Sequence, residues 1–236
     1  MKKTTLENFI SKYYLAGAVE SVIWKSNGAL DCQFVNETQD LVGNVSLNTN
    51  TIDKGNIGVY KTAQLSKLLT ALDSDIEVKL DGDANQLHSL SLSDKKTKAK
   101  FMLADPSVIK KAPDIKALPE WEVEMDITDA FISDFIKSRN AVPDATNFAI
   151  VTVGDKVQFV INYSTINTNR VTFDCDANKV SDIPATAFKA DLFKEVLIAN
   201  KGMTGTLKVS SKGLMKLDFS DKDFTSSYFL VKQTIN

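Results

Sequence analysis

The sequence predicts an α+β protein made of two tandem copies of one unit. Each copy is ordered helix, strands, helix, strands, with helices on one face and antiparallel sheets on the other. Three observations carry this. Tyr60–Leu103 reads as a helical stretch followed by three short alternating runs, and Phe188–Val231 repeats the plan. At an offset of 128, Tyr60 meets Phe188, Lys61 meets Lys189, Leu65 meets Phe193, Leu68 meets Val196 and Leu69 meets Leu197. Phe9, Ile10, Ser11 and Tyr13 are likewise echoed by Phe131, Ile132, Ser133 and Phe135 at an offset of 122. Three of the five prolines (Pro106, Pro113 and Pro119) fall in the stretch between the copies. The expected division is a first domain over 1–103, a connector over 104–120 and a second domain over 121–236.

In the first copy, Leu6, Phe9, Ile10 and Tyr13 follow the i, i+3, i+4, i+7 rule, so residues 5–16 form an amphipathic helix that Gly17 stops. Lys12 falls about 200° from Ile10, on the expected solvent side. Two alternating runs, residues 21–26 and 29–35, flank Asn27-Gly28, a strong hairpin signal. Residues 40–47 extend that sheet, and 57–60 form a short strand. Thr62 is the expected N-cap of a helix from Ala63 to Leu72, with Leu65, Leu68, Leu69 and Leu72 buried and Lys67 opposite. Residues 75–80, 87–92 and 98–103 are three strands, joined by turns at Asp81-Gly82-Asp83 and Ser93-Asp94-Lys95.

The connector breaks this rhythm, because proline lacks a ladder N–H and disfavours helix in the residue before it. Its apolar side chains Val108, Ile109, Ile115 and Leu118 imply that it lies on a surface. The second copy opens with a strand at 121–127, then a helix over about 128–140 with Phe131, Ile132, Phe135 and Ile136 buried and Lys137 outside. Strands follow at 148–153 and 156–163 around Gly154-Asp155, and at 170–176. After Pro184 come a helix from about 190 and strands at 205–210, 214–219 and 226–232, the first two joined by Ser211-Lys212-Gly213.

Composition narrows the function. Hydrophobic residues make up 43% and charged residues 25%, enough apolar material for two cores. No run of eighteen apolar residues exists, and no apolar segment follows Lys2 and Lys3, so neither a membrane span nor a signal peptide is expected. Cys32 and Cys175 are far apart in alternating runs and read as buried free thiols, which fits a reducing cytoplasm. The net charge of −2 hides an asymmetry. The helical stretches 1–16, 60–72, 127–140 and 188–201 hold ten basic and five acidic side chains, leaving a net of −7 elsewhere. Either the helices together face a polyanion while the sheets face away, or the sum is fortuitous.

The usual chemistry is missing from the sequence. The single histidine, His88, has no partner at metal-ligand spacing. No phosphate-cradling glycine motif occurs, and no carboxylate pair is singled out by spacing. Asp174-Cys175-Asp176 reads as strand and turn, since neighbours on a strand point to opposite faces. No metal, cofactor or catalytic residue is expected.

The tandem plan, the proline-bearing connector, residues 57–72, Ala104-Asp105-Pro106-Ser107 and the closing run 226–232 together resemble the DNA polymerase sliding clamps, in particular the trimeric clamp of T4-type bacteriophages. Unlike the cellular clamps, the chain shows no acidic C-terminal tail. The resemblance implies the DNA clamp fold and a homotrimeric ring, working in the cytoplasm (of the host cell, for a phage protein). Such a ring holds duplex DNA without sequence preference, tethers the polymerase through its C-terminal peptide and is opened by an ATP-dependent clamp loader. Lys12, Lys67, Lys137 and Lys194 would line the hole, with Lys2, Lys3, Arg139 and Lys201 as further candidates; otherwise they are solvated helix faces. Lys96–Leu103 and Arg170–Asp174 would be the edge strands that join subunits, through Lys96, Lys98, Lys100, Phe101, Arg170, Thr172 and Asp174. A partner-peptide groove would be walled by Leu41, Val42, Val108, Ile109, Leu118, Tyr228 and Leu230, unless these side chains close the contact between domains. Two other readings stay open: a β-rich oligomeric phage structural protein, marked by helices without a basic face, and a carboxylate enzyme, marked by a deep pocket with perturbed acids.

Overall fold

The computed structural model describes residues 1–83, 86–115, 117–166 and 168–234. It forms two compact units, Met1–Pro113 with Asp221–Ser226, and Asp114–Ser220 with Ser227–Asn236.

Unit 1 begins with α1 (Lys3–Tyr14), whose stripe Leu6, Phe9, Ile10 and Tyr13 is buried as the spacing requires. The helix ends three residues before Gly17. Leu15 and Ala16 adopt left-handed conformations (φ 46° and 54°), which cost a non-glycine residue about 1 kcal/mol, and the burial of Leu15 offsets this. Strands β1 (Val22–Asn27) and β2 (Ala29–Val35) turn at Gly28 (φ 86°), followed by β3 (Leu41–Leu47) and β4 (Gly55–Val59). They pair antiparallel in the order β4-β1-β2-β3. Trp24 anchors this sheet to α1 through edge contacts with Phe9 and Tyr13 (ring centroids 5.5 and 6.2 Å).

Helix α2 (Thr62–Thr70) is capped differently from the sequence expectation. Thr62 is its first residue, not its cap. The cap comes from Glu20, whose carbonyl accepts from the Thr62 N–H and hydroxyl (3.0 and 2.9 Å) and whose carboxylate accepts from the Ala63 N–H (3.1 Å). A second sheet, β5 (Glu77–Gly82), β6 (Leu87–Ser93) and β7 (Lys98–Met102), follows, with β7 at its edge. The turn expected at Asp81-Gly82-Asp83 is a bulge at Asp81/Gly82, and the residues that follow Asp83 lie outside the described ones.

Unit 2 repeats the plan. Strand β8 (Val123–Ile127) leads into α3 (Asp129–Ala141), capped by the Thr128 hydroxyl on the Phe131 N–H (3.1 Å). Then come β9 (Asn147–Val153), β10 (Lys156–Ile161), β11 (Val171–Cys175), the two-residue β12 (Lys179–Val180), β13 (Thr186–Lys189), α4 (Ala190–Ala199), β14 (Thr204–Ser210), β15 (Leu214–Ser220) and β16 (Phe224–Val231). The short strands β12 and β13 are additions to the sequence expectation. One sheet runs β11-β10-β9-β13 and the other β12-β8-β14-β15-β16. Phe131, Phe135, Phe148, Phe159 and Phe193 interlock in its core, with centroid separations from 4.7 Å.

The strand orders make the duplication explicit. Order β4-β1-β2-β3 in unit 1 matches β13-β9-β10-β11 in unit 2, and β5-β6-β7 matches β14-β15-β16. Even β8, which pairs with β14, has a remnant before α1: Lys2 bridges Asp75, next to β5.

Candidate DNA-facing and partner surfaces

In unit 1, Lys2 at the N-terminal cap of α1 and Lys67 on α2 are exposed, Lys67 on the side away from buried Leu65 and Leu69. Lys3 is half-buried and donates to the Leu72 carbonyl (2.8 Å). Lys12 is not on the solvent side. It is 4% exposed, with its ammonium 5.2 Å from the centre of the Phe224 ring. Burial lowers its pKa from 10.5 to about 8, against the opposing pull of the Asp221 carboxylate. The segment Asp221–Ser226 belongs to unit 1 and covers the flank that the helical period assigns to water.

In unit 2, Lys137 is exposed and Lys201 lies exposed just past α4. Lys194 is half-buried, 3.5 Å from Glu195. Arg139 is 9% exposed and committed. Its Nε donates to Asp191 (3.0 Å) and its Nη1 to the carbonyls of Val142 and Pro143 (2.9 and 3.1 Å). It closes the C-terminal end of α3 and ties it to the first turn of α4, so it is not available to a phosphate. Lys61, which sequence reasoning leaves as a mere flank of α2, is exposed beside Lys67. Both line an open groove of about 500 Å³ with Glu20, Glu37 and the half-exposed Tyr60.

The carboxylates with shifted acidity are turn and strand acceptors. Asp81 is held below its ordinary range by the Ser91 and Ser89 hydroxyls, Asp94 by the backbone N–H groups of Asp73, Lys96 and Thr97, Asp105 by Ser107, and Glu122 by Ser211. None of the four lines the groove, and Glu20 there is engaged as a helix cap. Among the described residues no group of three or more His, Cys, Asp or Glu is placed to hold a metal, and no helix is long and apolar enough to cross a membrane.

Of the expected peptide-groove residues, Val108 and Leu118 are exposed and Val42 is half-exposed. The rest are core. Leu41, Tyr228 and Leu230 are 0–1% exposed, and the Tyr228 hydroxyl accepts from the buried Asn200 amide (2.9 Å). Ile109 is 4% exposed and reaches Gly58 on β4. Order along the chain places these four at a groove, but packing against their own units turns them inward, the strand residues by simple alternation. Gly58 lies so near the chain at Ala104 that a Cβ there would sit 2.2 Å from the Ala104 oxygen; the Ala104 N–H donates to the Gly58 carbonyl (2.9 Å). Of the stretch 104–120, Lys116 lies outside the described residues.

Among the described residues the two expected joining strands are edges within their units: β7 pairs only with β6, and β11 only with β10. Lys98, Lys100 and Met102 on β7 and Thr172 and Asp174 on β11 are exposed, as are Lys96 and Arg170 beside them. Phe101 points inward and is buried.

No family model matches the chain, and no curated protein sequence does. Solved structures do. Proliferating cellular nuclear antigen (PCNA) from Entamoeba histolytica aligns with a TM-score of 0.75 at 14% identity, over 99% of this chain and 96% of its own. The fold is that of the PCNA-type sliding clamps. PCNA of A. fulgidus, solved with the C-terminal region of FEN-1 bound, gives 0.76 at 14% identity over 100% and 98%. The PCNA2–PCNA3 complex of Sulfolobus tokodaii gives 0.72 at 11% over 99% and 98%. At such identities the likeness concerns the fold.

Proposed function

We propose that the chain is a non-catalytic sliding clamp. Three copies form a ring of six repeats that holds duplex DNA and keeps a replicative polymerase on its template. The observation that carries this reading is the near-complete match, end to end, to PCNA chains, in a molecule whose helices present exposed lysines. The DNA-facing set is Lys2, Lys61, Lys67, Lys137 and Lys201, with Lys3 and Lys194 at its margin. Lysines on helices make point-charge contacts to phosphate that carry no base information, so a ring built on them stays free to slide.

The stretch 104–120 serves as the interdomain connector. Its exposed Val108, Ile115 and Leu118, with half-exposed Val42, are the anchors offered to a partner's C-terminal peptide. A. fulgidus PCNA, which binds the C-terminal region of FEN-1, is a precedent for such a partner. A closed ring needs an ATP-dependent loader to open it on circular templates, and the work is cytoplasmic. The kinship to T4-type phage clamps rests on Ala104–Ser107 and the pattern around it. Light scattering at micromolar concentration tests the ring. Three chains of 26.0 kDa give about 78 kDa, and a particle of one chain's mass would refute it.

A further inference from the structure

The duplication shows what the outer edge of β5 is missing. In unit 2, β8 covers the outer edge of β14, with Ile127, Met125 and Val123 opposite Gly205, Leu207 and Val209. In unit 1, β5 takes the place of β14 but among the described residues pairs only with β6. The helix caps fix the residue equivalences. Lys2 caps α1 where Thr128 caps α3, so Met1 stands where Ile127 does. Met1 donates to the Ile76 carbonyl (2.9 Å) and the Ile76 N–H to the Met1 carbonyl (3.0 Å), so Ile76 corresponds to Gly205. Val78, Lys79 and Leu80 then correspond to Leu207, Lys208 and Val209. Backbone groups of an extended chain alternate in direction. The N–H and C=O of Val78 and Leu80 therefore point the same way as those of Ile76, out of the edge of the sheet. Burial records the missing cover. Leu207 and Val209 are 0% exposed, whereas Val78 is 8% exposed and Leu80 is half-exposed. The bulge at Asp81/Gly82 ends the open run.

We propose that β5 takes an added antiparallel strand from a partner protein, with an apolar residue opposite Leu80, an acidic one opposite Lys79 and an apolar one opposite Val78. The covered twin supplies each feature. Val123 and Met125 of β8 turn inward, 0% and 3% exposed, over the equivalents of Leu80 and Val78. Between them Glu124 reaches across to Lys208 (3.0 Å), whose side chain is 30% exposed. Lys79, the equivalent of Lys208, is 62% exposed and is paired along its own strand with Glu77 (2.9 Å). A carboxylate opposite it would restore the cross-strand pair that unit 2 already makes. Glu77, which stands where unit 2 has Thr206, calls for a basic or neutral residue at the next position. In this mode of recognition the backbone supplies affinity and the alternate side chains supply specificity. The site shares no residue with the connector surface or the DNA-facing lysines, so it gives unit 1 a second place for a partner.

The probe is a fluorescein-labelled peptide, Trp-Glu-Val-Glu-Met-Lys with an amidated end. It is the β8 run from Trp121 with lysine in place of Asp126, to face Glu77. Anisotropy on the full chain measures its affinity, and hydrogen exchange locates it. Bound peptide should slow exchange in the segment 77–82 and leave the connector unchanged. Methylating the peptide's Met nitrogen removes the N–H that meets the Val78 carbonyl and should abolish binding. Lys79→Glu, at an exposed position, should weaken binding about five-fold by setting like charges opposite each other. A peptide with its second Glu changed to Lys should bind Lys79→Glu as the original peptide binds the wild type. Protection outside 77–82, equal affinity of the methylated peptide, or no binding at millimolar peptide overturns the proposal. A native mass that doubles with concentration, with 77–82 protected in the absence of peptide, assigns the edge to a second copy and overturns a partner peptide as its occupant.

Discussion

Lys12 supplies a test whose sign follows from burial. The change is Lys12→Met, close in length and without charge. A drop in pKa from 10.5 to about 8 is worth about 3 kcal/mol at roughly 1.4 kcal/mol per pH unit, and roughly 2 kcal/mol after allowance for screening of a partly solvated ammonium. The folded pKa lies below the unfolded one, so between pH 8 and 10.5 the unfolded chain binds more protons and stability gains as pH rises. Below that window the cost of the buried charge is fully present. Lys12→Met should therefore be more stable than the wild type by about 2 kcal/mol at pH 7, and the advantage should shrink towards zero by pH 10.5. Urea unfolding followed by tryptophan fluorescence, at one protein concentration and at pH 7, 9 and 10.5, measures it. Cys32 and Tyr13, both pushed up by burial, lower stability at the alkaline end, but equally in both proteins, so the difference isolates Lys12. A variant less stable at pH 7, or an advantage that does not change with pH, would refute the reasoning.

Two further changes probe the surfaces. Gly58→Ala drives a Cβ into the Ala104 carbonyl, where no rotamer gives relief, and should cost about 2–3 kcal/mol through the broken hydrogen bond and uncovered Ile109; trypsin should then cut faster at Lys110 and Lys111, and unchanged cleavage would argue against this anchor. Replacing Lys67, Lys137 and Lys201 by glutamate should leave the native mass unaltered and reduce the salt dependence of duplex binding by about one unit of slope for each phosphate no longer neutralised. Lys12→Met should leave that slope unchanged; equal reductions in both would show that exposure does not select the DNA-facing set.

The fold was legible because its signals are local and doubled. The 3.6-residue stripe of α1, the alternation of β1 and β2 around Asn27-Gly28, and the echo of residues 60–103 in 188–231 survive in the structure, and the stripes of α2 and α3 do so except at Leu68 and Ile136, which are only half-buried at the margins of their faces. Strands β12 and β13 escape a sequence reading because two and four residues carry too little periodicity. What failed was information supplied from far along the chain. A helical wheel cannot foresee that Asp221–Ser226 covers Lys12, that Asp191 claims Arg139, or that Glu20 caps α2. Sequence order puts Tyr228 and Leu230 in a groove, although the alternation of β16 already assigns them to its inner face.

Topology tests the central claim most directly. A ring can thread onto linear duplex over a free end but cannot enter a closed circle unaided. The protein should be retained on linear DNA whose ends are blocked by streptavidin after threading, through a wash at 0.5 M salt that strips ordinary phosphate contacts. It should slide off the same DNA with open ends and be absent from covalently closed circles. Equal retention on closed circles and on blocked linear DNA would contradict encirclement and leave a surface DNA-binding protein in its place.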